Sequence, residues 1–357
     1  MSAGTPEVFP SSGAEALAAG AAAAGCRFFG SREGDALAGL TAAVEASALD
    51  RGMAVFRAED EPAALSAALG AGHAGARAMA ACSCAGLATA EGLVAFSSLA
   101  EVPAVLVCVR EGPGDARPYR LLSRNIPAAV LVPDSVADCF QSAVEAFALA
   151  DAFQCPVLLV CDRRLLERTE SVPMPPPPAS IDRGRWALPP ETGAFRRYAD
   201  SEDGASPRSV PGQEGLLFVA DPDPVGRTAK LERKAASLRA ALRPCRLEGP
   251  SDAETVFVSW GAVSGLLRRA LGSLEAEGAR PASLLSLRAF SPFRGEEVRG
   301  LLSGAKAVLC VEEGGGDGLS GSLRAGAGVD AAPSSIEVSG AFDEAVLRAG
   351  LRKALHG

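Results

Sequence analysis

Histidine is nearly missing from this chain of 357 residues, with only His73 and His356 present. That scarcity argues against Ser-His-Asp and Cys-His catalysis and against histidine-based metal centres, all of which need an imidazole beside the nucleophile or metal. Asparagine occurs once, as Asn125, and aromatic residues make up 5% of the chain. No Lys/Arg cluster is interleaved with those aromatics, and the net charge is −8, so a nucleic-acid surface is not expected. There is no apolar run of about 18 residues free of polar breaks, which argues against a membrane span. The first ten residues lack a charged n-region and an apolar h-region, so a cytoplasmic location is expected.

Cysteine is present nine times, but not in metal-binding spacing. Most of the nine sit inside apolar stretches, as buried free thiols do. Cys82-Ser83-Cys84 is too tight for the usual zinc or iron–sulfur patterns, and no second pair completes it. If electrons move in this system, their carriers lie on another chain.

What is abundant is apolar residues, 48% of the total, arranged in alternating strand-like and helix-like runs. The stretch Ala54-Val-Phe-Arg-Ala-Glu-Asp-Glu-Pro62 organises the first half. A short apolar strand enters three carboxylates, Asp60 can cap a helix, Pro62 suits its first turn, and Ala63 to Leu69 continues at helical spacing. Open α/β sheets place ligands at such a junction, at the carboxyl end of a strand and the amino end of a helix. The plain alternative is that the acids complement the helix dipole and stay solvated.

The same alternation predicts strands at Cys26–Phe29, Ala76–Ala81, Pro103–Val109, Ala128–Val132 and Pro156–Cys161, with helices between them, including one over 86–100. The fold class expected is α/β: a doubly wound parallel sheet over residues 1–165 and a smaller parallel α/β domain over 225–357. Residues 166–224, with the polyproline stretch Pro173-Met-Pro-Pro-Pro-Pro178, read as a linker, and Arg227–Leu242 as a solvated connecting helix.

Glycine motifs contribute little. Gly70-Ala-Gly-His-Ala-Gly75 ends a helix instead of opening one, the reverse of a dinucleotide loop. Gly316-Asp-Gly-Leu-Ser-Gly321 follows a strand, but no clear amphipathic helix is expected after it. Its Gly-Asp-Gly also mimics the start of a thiamine diphosphate–Mg²⁺ motif, which requires a downstream asparagine that this chain does not have.

The order of Gly13-Ala-Glu-Ala16, Ala58-Glu-Asp-Glu61, Gly75-Ala-Arg-Ala-Met79, Ser83, Glu101-Val-Pro103 and Val109-Arg-Glu-Gly-Pro-Gly114 resembles the alpha subunit of 2-oxoacid:ferredoxin oxidoreductases. Val132-Pro-Asp-Ser-Val136, Ser259-Trp-Gly261, Leu287-Arg-Ala-Phe-Ser-Pro-Phe293 and Val311-Glu-Glu313 extend the resemblance through the second half. The resemblance implies a thiamine diphosphate-binding fold of the pyrimidine type followed by a transketolase C-terminal-like domain. It implies oxidative decarboxylation of a 2-oxoacid in anaerobic metabolism, with coenzyme A taking the acyl group and ferredoxin the electrons. Partners would be a beta subunit holding the diphosphate, Mg²⁺ and an iron–sulfur cluster, and a gamma subunit in larger hetero-oligomers.

In the matching positions Glu59 would be a buried carboxylate hydrogen-bonded to the cofactor's aminopyrimidine, and Ser83 would lie beside it. Arg110 would take the substrate carboxylate. The family's Tyr-Pro-Ile-Thr-Pro segment falls at Ser31–Asp35, which reads Ser-Arg-Glu-Gly-Asp here. The substrate-touching hydroxyl is therefore absent, with Ser31 and Arg32 in its neighbourhood, and the loop after Gly114 is short. These departures leave open either an altered, more anionic substrate or a degenerate paralogue acting as a structural or regulatory subunit.

Overall fold

A computed structural model describes residues 8–112, 128–173, 224–313, 318–333, 336, 338 and 344–356. The predicted linker core at 174–223, all of its polyproline stretch but Pro173, and the loop after Gly112 with Asn125 lie outside the described residues.

In chain order the first half runs β1 (Val8–Ser12), α1 (Gly13–Ala23), β2 (Phe28–Arg32), α2 (Asp35–Ala48), β3 (Ala54–Ala58), α3 (Glu61–His73), β4 (Ala78–Ser83), α4 (Cys84–Thr89) and α5 (Glu91–Leu99). It continues through β5 (Ala104–Arg110), β6 (Ala129–Leu131), α6 (Val136–Phe153), β7 (Pro156–Asp162), α7 (Arg163–Glu167) and β8 (Thr169–Pro173). The second half contains α8 (Pro224–Ala241), β9 (Cys245–Glu248), β10 (Thr255–Trp260), α9 (Gly261–Ala276), β11 (Ser283–Leu287) and β12 (Ala289–Ser291). It ends with α10 (Gly295–Leu302), β13 (Ala307–Cys310), α11 (Gly318–Ala327), β14 (Ala332–Pro333) and α12 (Glu344–His356).

Local sequence accounts for most of these boundaries. Ser12 and Glu15 form a reciprocal capping box that starts α1, and Ser135 caps α6. Asp60 caps α3, with Pro62 in its first turn, as the sequence indicates. All seven residues of β5 and all seven of β7 are buried, which is why both read as continuous apolar runs instead of alternating ones. The predicted helix over 86–100 is two helices, α4 and α5, that meet at Ala90.

The larger sheet has the order β12-β6-β7-β5-β4-β2-β3, parallel except for β12, and the smaller has β14-β13-β10-β11-β9 with β9 antiparallel. Helices α1, α2 and α6 pack on one face of the larger sheet, while α3 and α5 contribute to a core on the other. Gly20 permits the close crossing of α1 and α6, because a Cβ there would fall 2.4 Å from the carbonyl oxygen of Phe140.

Two features tie the halves together. Strand β12, from the second half, closes the edge of the larger sheet by pairing with β6. Helix α8 is not solvated all round: Lys234, Leu238 and Leu242 recur every fourth residue and are fully buried, the two leucines in the core beneath α1 and α6. Lys234 Nζ donates to Glu101 Oε1 at 2.6 Å and to the Gln154 carbonyl at 3.2 Å. Among the described residues, Glu101 and Gln154 are the non-glycine residues with positive φ, 58° and 48°, so both turns that meet this buried ammonium adopt left-handed backbone.

Candidate active site

The carboxyl ends of β2, β3 and β4 converge on one acid, Glu61. Asp60 faces solvent and spends its carboxylate on the Ala63 N–H at 2.7 Å, as an N-cap does. Glu61 is the next residue, the first of α3, and turns inward to only 6% exposure. Its Oε2 accepts from Ser83 Oγ at 2.8 Å and its Oε1 from the Ser83 backbone N–H at 3.1 Å. Ser83 sits at the end of β4 and caps α4, its Oγ also accepting from the Gly86 N–H at 3.0 Å. A Cβ on Gly86 would lie 1.5 Å from Glu61 Oε2, so only glycine leaves room for the carboxylate there.

Glu59 is placed differently from the sequence expectation. Its side chain is exposed at the end of edge strand β3, so the buried carboxylate expected at Glu59 is found at Glu61 instead. The physical reason is the capping turn. Asp60 takes the extended N-cap conformation (φ −141°, ψ 170°), and the first helical residue is the one aimed at β4. A capping aspartate before Glu-Pro was the available signal, since N-cap and first-turn residues face opposite environments.

Arg32 and Ser31 leave β2 on opposite faces, as strand geometry requires. Arg32 Nη2 stands 3.8 Å from Glu61 Oε1, with 44% of the Arg32 side chain exposed. Ser31 is buried on the other face, where its hydroxyl hydrogen-bonds that of Thr41 in α2 at 2.9 Å. Ser31, expected near the substrate, directs its hydroxyl to Thr41 and the α2 packing, away from the Glu61 corner.

Arg110, at the end of β5, does not reach Glu61's neighbourhood as a free cation. It is 3% exposed, ion-paired with Asp162 at the end of β7, and its Nη2 reaches Glu313 Oε2 at 3.3 Å and the Gly112 carbonyl at 3.1 Å. The guanidinium lies 4.7 Å over the Trp260 ring, and its Nε is buried without a hydrogen-bond partner. Arg164 Nη1 binds the other oxygen of Glu313 at 2.6 Å, and Asp162 Oδ2 accepts the Ala262 N–H of α9 at 2.8 Å. Burial pushes the Asp162 carboxyl above its ordinary range, with the Arg110 charge and the Ala262 N–H acting against that rise. Gly261 has φ +60°, and a Cβ there would meet Asp162 Oδ2 at 2.8 Å. Arg110, expected to take the substrate carboxylate, is engaged here by Asp162 and Glu313 and joins the two sheets.

The glycine motif at 316–321 also differs from expectation, because α11 begins within it at Gly318 and buries Leu319, Leu323 and Ala327. Glu312 Oε1 accepts the Leu319 N–H at 3.0 Å, so a carboxylate already occupies that helix start. Residues 314–317 lie outside the described part. No described helix is long and apolar enough to cross a membrane.

Residues 35–203 match the family model described as "Pyruvate flavodoxin/ferredoxin oxidoreductase, thiamine diP-bdg". The chain is 30% identical over 318 residues to 2-oxoacid:ferredoxin oxidoreductase 2, subunit alpha, of Aeropyrum pernix, an alignment covering 81% of this chain and 49% of that one. Along most of its length the chain is similar to the alpha subunits of 2-oxoacid:ferredoxin oxidoreductases. A second relative, 2-oxoglutarate synthase subunit KorA of Methanothermobacter thermautotrophicus, is 28% identical over 329 residues, covering 84% of this chain and 86% of that one.

The fold is shared with the solved 2-oxoglutarate:ferredoxin oxidoreductase from Magnetococcus marinus, with 2-oxoglutarate, coenzyme A and succinyl-CoA bound. Its TM-score is 0.81 at 24% identity, covering 98% of this chain and 66% of that one. An inactive β4 tetramer of a split-gene transketolase shares the fold more distantly, at TM-score 0.55 and 15% identity, covering 97% of this chain and 98% of that one. The chain spans about half the length of several curated relatives it matches.

Proposed function

We propose that this chain is the pyrimidine-side subunit of a thiamine diphosphate-dependent 2-oxoacid:ferredoxin oxidoreductase, and that Glu61 carries the role expected at Glu59. The observation that carries this reading is Glu61 itself: a buried carboxylate at the carboxyl edge of a parallel sheet, hydrogen-bonded by the neutral donors of Ser83, with the half-exposed Arg32 at 3.8 Å, and given room by Gly86. Such a group suits the ring nitrogen of an aminopyrimidine, because it can hold or exchange a proton there without first leaving a buried cation.

When bound, thiamine diphosphate supplies the nucleophilic carbon and the electron sink for decarboxylation. Within this chain, Ser83 orients the Glu61 carboxylate through two hydrogen bonds. Arg32, half-exposed beside Glu61, offers positive charge to an anionic substrate. The diphosphate and Mg²⁺ site, the iron–sulfur cluster and the contacts to ferredoxin and coenzyme A fall to a beta subunit and further partners, since the Gly-Asp-Gly here has no downstream asparagine to complete it.

The test is reconstitution with a beta subunit from the same organism, reading 2-oxoacid-dependent reduction of a viologen dye. Glu61→Gln is expected to lower turnover by about 10²- to 10⁴-fold, the usual range for losing a proton-transfer group. Glu59→Gln should stay near wild type. Full activity in Glu61→Gln would sink the assignment.

A second reading is supported by the burial of Ser31 and the sequestration of Arg110: a subunit that keeps the interface but not the chemistry. It predicts a stable complex with no thiamine diphosphate bound and no effect of either glutamate substitution.

A further inference from the structure

We propose that Cys84 and Cys108 form a dithiol that hydroperoxides oxidise to a disulfide, set directly behind the Glu61 clamp. Their Sγ atoms lie 3.1 Å apart, about 1 Å beyond a bonded pair. Cys84 is the first residue of α4 and half-buried, whereas Cys108 lies in the middle of β5 with no exposure. Cys82, in register with Cys108 across β4 and β5, is equally sealed.

That geometry divides the work. Cys84 is the thiol that meets solvent and is oxidised first: its thiolate attacks the hydroperoxide, the O–O bond breaks, and a sulfenic acid forms with release of water or an alcohol. Cys108 then attacks the Cys84 sulfur, forming the S–S bond and expelling a second water. The sum is two thiols and one hydroperoxide giving one disulfide, one water and one water or alcohol. The Cys82 and Cys84 thiols and burial push the Cys108 thiol well up, consistent with a partner that keeps its proton until the sulfenic acid is beside it.

The position of the pair gives the reaction a consequence. Cys84 is bonded directly to Ser83, whose N–H and hydroxyl hold both Glu61 oxygens. Drawing Cys84 toward β5 displaces Ser83 and opens the clamp. An effect on turnover rests on the function proposed above; the disulfide itself does not.

The experiment uses the full-length chain, reduced, freed of reductant, treated with hydrogen peroxide, then alkylated in denaturant. Cys82, Cys84 and Cys108 all lie on one tryptic fragment, Ala78–Arg110, so cleavage after Glu91 and Glu101 is needed to separate Cys108 from the other two. The expected result is loss of two of the nine alkylatable thiols, restored by dithiothreitol, with fragment Val102–Glu111 linked to the fragment that ends at Glu91. Cys82→Ala should retain the link and Cys84→Ala should abolish it, leaving Cys108 fully alkylated. A link that survives Cys84→Ala overturns the proposal. So does a Cys84 carrying two added oxygens beside a free Cys108, or no loss of thiols at all. Because the readout is covalent, a chain that proves inactive for other reasons still answers the question.

Discussion

Two corners of the same sheet edge hold buried carboxylates in opposite ways. At β2, β3 and β4, Glu61 is gripped by a serine's hydroxyl and N–H, and the nearest cation, Arg32, is half-exposed at 3.8 Å. At β5 and β7, Asp162 and Glu313 share Arg110, which is itself sealed under Trp260, and Arg164 holds the other oxygen of Glu313. A carboxylate bound to a buried arginine is committed, because removing either partner strands a charge in low dielectric. A carboxylate bound by neutral donors carries no such commitment. The contrast separates the corner that joins the two halves from the corner proposed above for the chemistry, although the two lie on adjacent strands.

That contrast can be broken by substitution. Arg110→Met should have the largest effect on stability, a loss of about 3–5 kcal/mol from leaving Asp162 and Glu313 without their shared cation, read from urea denaturation midpoints. Gly86→Ala comes next. The Cβ would overlap Glu61 Oε2, and the shift needed should cost about 1–3 kcal/mol and abolish turnover in the reconstituted complex. Glu61→Gln should change stability by less than about 1 kcal/mol, since the amide keeps the shape, its oxygen can accept the Ser83 N–H and its NH2 can donate to Ser83 Oγ. If it destabilised as much as Arg110→Met, the two corners would not differ in kind.

The smallest effect is expected far from both corners, at Glu277. Arg348 and Arg352 hold its carboxyl below the ordinary range. A carboxyl depressed in the folded state adds stability above its ordinary pKa, and that contribution is lost as pH falls through the folded value. Glu277→Gln should therefore lower neutral-pH stability slightly and leave stability at low pH unchanged, which flattens the acid limb of a thermal-melting profile.

Much of the first sheet could be read from residue order. The buried runs of β5 and β7, the capping aspartate of α3 and the Ser83 turn each follow from local pattern and stereochemistry. Elements that depend on distant partners could not be read so. Strand β12 has only three residues and exists because β6 offers an open edge. The pairing of β1 with β8 joins segments about 160 residues apart, and neither segment alone has the alternation that marks a strand. Helix α8 looks solvated by composition, yet it buries Lys234 because Glu101 and the Gln154 carbonyl wait for it.

The chain's order of residues was enough for the class of fold, the parallel sheet and the short stretch in which the acid had to lie, because apolar periodicity and capping chemistry act over a few residues. It could not choose between Glu59 and Glu61, because that choice depends on which residue after the cap meets the end of β4. Nor could it say that Arg110 would be spent on Asp162 and Glu313. Glu313 lies 203 residues along the chain, and only the packing of the second sheet against the first brings that carboxylate within 3.3 Å.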